Sequence, residues 1–151
     1  MKRIVIYALP IVLCFIVGWM GMLFQSEALV EWYPYLAKSS ASPPNIAFPI
    51  AWTILYICMG LSLGRILDLG HNRFVGLWFL QLALNFIWSI AFFYMQSPIA
   101  GLVVIILLDV SVLSYILLTW NDSKFASIIM IPYMIWLGFA TFLNFYIWLF
   151  N

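Results

Sequence analysis

The chain reads as an all-α integral membrane protein, a single membrane domain over residues 1–151 folded as a bundle of five transmembrane helices. Three observations predict this. Hydrophobic residues make up 67% of the chain and charged residues 7%, where soluble domains carry about 25% charged residues. Crossing a ~30 Å hydrocarbon layer at ~1.5 Å per residue takes about 20 apolar residues, and five runs of that order follow one another. The charges gather in the polar breaks between the runs, Asp109 being the exception.

Each element follows in chain order. Residues 4–24 are uncharged and form the first span, with Pro10 near its start. Lys2 and Arg3 precede it as they would a signal peptide. No small-x-small cleavage site follows before Ser26-Glu27, so the run reads as a retained helix. Residues 25–42 form a lid loop with Glu27, Glu31 and Lys38, and with Trp32, Tyr33 and Tyr35 suited to a membrane interface. A short interfacial helix over Glu27–Ala37 is expected there. The second span, 43–68, is expected to begin at Ser42-Pro43-Pro44. A serine cap accepts a backbone N–H, and proline fits a first turn because its missing N–H has no partner there. Pro49 is then expected to bend the helix. The break Asp68–Arg73 leads to a third span over 74–95. Gln96-Ser97-Pro98 turns the chain into the fourth span, 99–120. Asn121–Lys124 turns it into the fifth, 125–150, with Pro132 inside it. No internal repeat is visible, which argues against an inverted-repeat transporter.

Orientation follows the basic residues. With five spans, Lys2, Arg3, Arg65, Arg73 and Lys124 share one side and Lys38 stands alone on the other. The N-terminus is therefore expected inside and the C-terminus outside, with the lid loop facing outward. The sequon Asn121-Asp122-Ser123 falls inside on this topology and is discounted. Net charge of +1 gives no electrostatic case for nucleic acid. Cys14 and Cys58 lie in apolar runs and suggest no disulfide framework. His71 is the one histidine, without a cysteine or carboxylate cluster beside it, so no metal site is expected. No Walker loop, paired carboxylates or nucleophile–base pair is present, which excludes conventional hydrolytic and phosphoryl-transfer chemistry.

Three stripes carry the candidate chemistry. Trp78, Gln81, Asn85, Trp88 and Phe92 follow steps of three and four and share one helical face. Amides in hydrocarbon need partners, so this face should look into the bundle. From spacing alone, Gln81 and Asn85 serve either a ligand or the joining of helices. Phe48, Trp52 and Tyr56 form a second stripe. Trp136, Ala140 and Leu143 or Asn144 form a third, where small Gly138 and Ala140 beside Trp136 leave room. Aromatic faces with a few amides suit a planar or polycyclic ligand. Asp109 is the one acid well inside a span, either a functional carboxyl or a hydrogen-bonding link between helices. Gly60-Leu61-Ser62-Leu63-Gly64 is a small-xxx-small helix contact.

At these residues the chain resembles the TspO/MBR family, the tryptophan-rich sensory proteins, translocator proteins or peripheral-type benzodiazepine receptors. The blocks are Trp32-Tyr33 with Leu36-x-Lys38, Pro43-Pro44, Trp52-x-x-Leu55-Tyr56-x-x-Met59-Gly60, Gln81-Leu-Ala-Leu-Asn85-x-x-Trp88 with Phe92-Phe93, Asp109, and Pro132-Tyr133-x-x-Trp136-x-x-Phe139-Ala140-Thr141-x-Leu143-Asn144. They occur in order over nearly the whole chain.

The resemblance implies a five-helix membrane protein, usually a homodimer. It implies binding of porphyrins such as protoporphyrin IX and haem, and of sterols and synthetic polycyclic ligands, with no obligatory cofactor. Trp52 and Trp136 would sandwich the ligand, Asn85 would hydrogen-bond to it, Ala140 and Leu143 would line the wall, and Trp32 with the loop would close the mouth. The alternatives it carries are light- and oxygen-dependent porphyrin breakdown, with Trp52 and Trp136 as the candidate catalytic residues, and porphyrin or lipid transport. Two features depart from the family. Its loop pattern Lys-Pro-Ser-Trp-x-Pro-Pro is replaced by Lys38-Ser39-Ser40-Ala41-Ser42-Pro43-Pro44, without the tryptophan. The sterol motif also fails, since no basic residue follows Tyr146. Short loops and no visible transit segment point to a bacterial cell membrane.

Overall fold

A computed structural model describes residues 2–151, Lys2 through its backbone only. The described residues form helices and no strand. The helices are α1 (Lys2–Glu31), α2 (Ala47–Asp68), α3 (Val75–Ser89), α4 (Pro98–Thr119), α5 (Lys124–Ile128) and α6 (Ile131–Phe150), with 3-10 turns at Tyr33–Tyr35 and Asn72–Phe74 and a π-helical turn at Ile90–Tyr94 after α3. Five helical stretches are long and apolar enough to cross a membrane, the last being Lys124–Phe150, made of α5 and α6 together. They pack as a ring in the order α1, α2, α6, α4, α3, with α3 returning to α1.

Proline placement departs from expectation at three points. Pro43 and Pro44 do not start the second span. They lie in the loop, and α2 begins at Ala47, where Ile46 precedes it without a side-chain cap. Pro49 therefore sits in the first turn of α2 and does not bend it. Its missing N–H falls where no intrahelical partner exists. Ser42 donates its backbone N–H to Ser39 O (3.0 Å) within the loop and caps no helix.

Pro132 likewise lies in the first turn of α6, and the fifth span breaks at Ile129–Met130. Its missing N–H cannot serve the Ile128 carbonyl, and Met130 N bonds back to Ser127 O at 3.1 Å. Ala126 O is thereby released. In hydrocarbon such a carbonyl needs another partner, and Ser62 Oγ of α2 supplies it at 2.8 Å. Ser62 also pairs with the Tyr115 hydroxyl at 3.0 Å, and Thr119 with Ser127 at 2.8 Å. A small buried hydroxyl network thus holds the broken span to α2 and α4.

The loop is also shorter than expected. α1 continues through residues 25–31, and the interfacial helix over 27–37 is replaced by the end of α1 and one 3-10 turn. At the far end of the bundle the charges pair within α2, between α1 and α2, and between two loops. Asp68 meets Arg3 at 3.2 Å and Arg65 at 3.7 Å, and Asp122 takes both oxygens to Arg73 Nη2 at 2.7 Å.

The tightest seam joins α1 to α2. A Cβ added at Gly60 would lie 2.6 Å from Ile11 Cα, and one at Gly64 3.0 Å from Tyr7 Cα. Dispersion at this spacing holds the pair, since lipid tails leave little hydrophobic drive between helices. Gly60→Ala should lower the unfolding temperature in detergent, by an overpacking cost of about 1–3 kcal/mol. Gly138→Ala, where an added Cβ meets nothing within 4 Å, should leave that temperature unchanged or raise it.

Candidate ligand-binding site

The α3 stripe faces inward. Trp78 and Gln81 are fully buried, Asn85 and Phe92 nearly so, and Trp88 is half-buried. Trp78 Nε1 donates to Met59 O of α2 at 3.1 Å. Asn85 Nδ2 donates to the Tyr133 hydroxyl of α6 at 3.0 Å. Trp88 Nε1 donates to Asn144 Oδ1 at 3.3 Å and stacks on Phe92 with ring centroids 5.6 Å apart. Gln81 differs from its neighbours, because neither Nε2 nor Oε1 meets a protein partner. A buried amide in that state is costly.

Tyr133 is the residue on which the site turns. It is fully buried, accepts the Asn85 amide hydrogen bond at its hydroxyl, and lies edge-on to Trp52 at 6.2 Å. Trp52 in turn leans on Tyr56 at 5.4 Å. Tyr56 lies over Gly18 of α1, where an added Cβ would come within 2.6 Å of its Cζ. Trp52, Tyr56, Asn85 and Tyr133 therefore form one cluster joining α2, α3 and α6. Sequence reasoning placed Tyr133 in a motif but assigned it no role. The signal was its helical spacing to Trp136 and Ala140 on the same face.

Trp136 stands at the edge of this cluster, edge-on to Phe48 at 5.9 Å. It also lines a groove of ≈ 340 Å³ with Ala51, Ile54, Leu55, Pro132, Ile135 and Phe139. This groove lies on the α2–α6 seam and opens outward, since Ile54 and Ile135 are 54% and 69% exposed. Of the sequence candidates, Trp136 alone lines it. Ala140 is half-buried and Leu143 buried on the same helix. Trp32 sits elsewhere, edge-on to Phe92 at 5.4 Å, in a second cluster with Tyr33 and Phe93 at the loop end. Burial there pushes the Tyr33 phenol above its usual range. Asp109 links α4 to α6: Thr141 Oγ1 donates to its Oδ2 at 2.7 Å, while Oδ1 is buried without a partner.

The arrangement offers aromatic faces, two amides and an apolar groove. It offers no acid–base pair within the cluster.

Comparison with known proteins decides the family. The sequence model of the TspO/MBR family matches residues 10–149. The chain belongs to the TspO/MBR family. It is 43% identical to the tryptophan-rich protein TspO of Chlorobaculum tepidum, over 95% of this chain and 94% of that one. It is 35% identical to protein CrtK of Rhodobacter capsulatus, over 97% and 92%. It is 30% identical to the human translocator protein, over 89% and 81%. TspO/MBR membership and the five apolar helices together make this an integral membrane protein, and the match takes in the inward faces of α2, α3 and α6.

Tyr133→Phe would leave Asn85 Nδ2 buried without its partner. The expected loss is about 1–3 kcal/mol of stability, read as a lower unfolding temperature than wild type in the same detergent.

Proposed function

We propose that this protein is a membrane receptor or carrier for porphyrins, protoporphyrin IX or haem, and for other hydrophobic polycyclic molecules, held between α2, α3 and α6. The observation that carries the reading is the Trp52–Tyr133–Asn85 junction beside the Trp136 groove, where aromatic faces and an amide from three helices converge. A flat ligand entering along the groove would stack on Trp136 and Trp52. Asn85 and the unpartnered amide of Gln81 would orient its polar edge, and Ala140 and Leu143 would form the wall. The groove of ≈ 340 Å³ lies at the small end of ligand sites, which run from ~300 to ~1,000 Å³, so a macrocycle would require Trp52 to swing from Tyr133. Family membership supports the same reading. The reading extends to a homodimer in a bacterial cell membrane, its N-terminus on the side of Arg3, Arg65, Arg73 and Lys124.

Titration with protoporphyrin IX, followed by tryptophan fluorescence, tests the site. Aromatic contacts contribute about 0.5–1.5 kcal/mol each beyond their area. Trp52→Phe combined with Trp136→Phe should therefore weaken binding by roughly tenfold. Equal affinity in the double variant and wild type would remove the assignment.

A further inference from the structure

The α1–α2 seam keeps one register along its length. Phe15 meets Tyr56 edge-on at 5.7 Å, Ile11 lies at Gly60 and Tyr7 at Gly64, and one turn further Arg3 Nε meets Asp68 Oδ1 at 3.2 Å. Each step is four residues on both helices, so an ion pair closes the same face that the glycines pack. It also marks an edge of the hydrocarbon, because the apolar run of α1 begins at Ile4 and α2 ends at Asp68. Lipid phosphates lie at this level, in the headgroup layer that flanks the ~30 Å core.

Asp68 is shared between two cations. Arg65, one turn back on α2, places Nη1 3.7 Å from its Oδ2. One carboxylate between two guanidiniums leaves a net positive charge at this point of the surface. The Asp68 side chain is 12% exposed, that of Arg3 84% and that of Arg65 38%, so the cations stand outside and the anion beneath them. Arg3 meets Asp68 through Nε, which leaves both its terminal amino groups for another partner, and Arg65 stays beyond hydrogen-bond range. Guanidinium donors of this kind take phosphate oxygens in pairs. Arg73, the remaining arginine, differs: its Nη2 donates to both oxygens of Asp122 at 2.7 Å, one cation to one anion. Apolar surface leads from Arg3 and Arg65 into the membrane. Ile4 and Val5 of α1 are exposed, and Leu61 of α2, one turn from Arg65, is half-buried.

We infer that Arg3 and Arg65 form a site for the phosphodiester of an anionic phospholipid, with Asp68 as the internal counter-ion that holds the two guanidiniums at the end of the seam. The lipid phosphate neutralises their surplus charge, and its acyl chains lie along the exposed apolar residues below. A zwitterionic lipid offers the same phosphate but brings its own cation, so it binds less well. The site does not rest on the ligand-binding reading.

Native mass spectrometry of the full chain, released from detergent micelles holding equal amounts of dioleoylphosphatidylglycerol and dioleoylphosphatidylcholine, tests it. The wild type should retain phosphatidylglycerol in preference. The double variant Arg3→Gln, Arg65→Gln should lose that preference by roughly fivefold per arginine, the factor for one basic residue at an anionic lipid surface. Arg73→Gln should keep it. Asp68→Asn gives the opposite sign: removal of the counter-ion should raise the preference by roughly fivefold while the unfolding temperature falls. A merely structural ion pair would lose lipid and stability together, so this variant decides the matter even if the double variant does not fold. Equal retention of the two lipids by the wild type, or a wild-type preference in the double variant, would overturn the site. So would an unchanged or weakened preference in Asp68→Asn. Inorganic phosphate that raises the wild-type unfolding temperature as much as phosphatidylglycerol does would overturn the lipid as the occupant.

Discussion

The structure depends on one constraint: within hydrocarbon, backbone polar groups must find partners inside the protein, and a side-chain polar group left without one is costly. The break between α5 and α6 illustrates it. A missing proline N–H releases the chain from regular helix, and Ser62 on another helix answers the freed Ala126 carbonyl. The same constraint governs the candidate site. Asn85 finds Tyr133, Trp78 finds the Met59 carbonyl, and Trp88 finds Asn144. These pairings connect α3 to α2 and α6 at fixed registers, so the aromatic rings between them are placed by polar groups as much as by packing.

Close approach supplies the second half of the account. Gly60 and Gly64 let α2 lie against the backbone of α1, and Gly18 makes room for the Tyr56 ring. The α1–α2 seam is thereby set firmly. The α2–α6 seam is less filled, and it holds the groove lined by Trp136. A bundle tight on one seam and open on the next has a natural side on which a bilayer-dissolved molecule can meet buried aromatic side chains.

Much of this was legible in the sequence. Charges delimit the spans because a charge in hydrocarbon is costly, so the five-helix class followed from where Arg65, Asp68, Arg73 and Lys124 stand. The inward face of α3 followed from the spacing of Trp78, Gln81, Asn85 and Phe92. The family was visible in the same residues. Proline positions were less legible. Pro43 and Pro44 carry a helix-start signal equal to that of Pro49, and the spacing of the prolines alone does not select Ala47. Pro132 was read as lying inside a helix, and the rescue of its break by Ser62 is a contact 64 residues away in sequence. Tyr133 was missed for a related reason: its spacing puts it on the face of Trp136 and Ala140, but its role comes from one partner on a remote element, Asn85.

The central claim is that the junction of α2, α3 and α6 takes up a flat hydrophobic ligand at a defined place. Its most direct measurement is the stoichiometry of protoporphyrin IX binding to the wild-type protein in nanodiscs at several lipid-to-protein ratios. The account predicts saturation at one porphyrin per chain, with tryptophan quenching that follows protein and not lipid concentration. Uptake that never saturates and grows in proportion to lipid would contradict it.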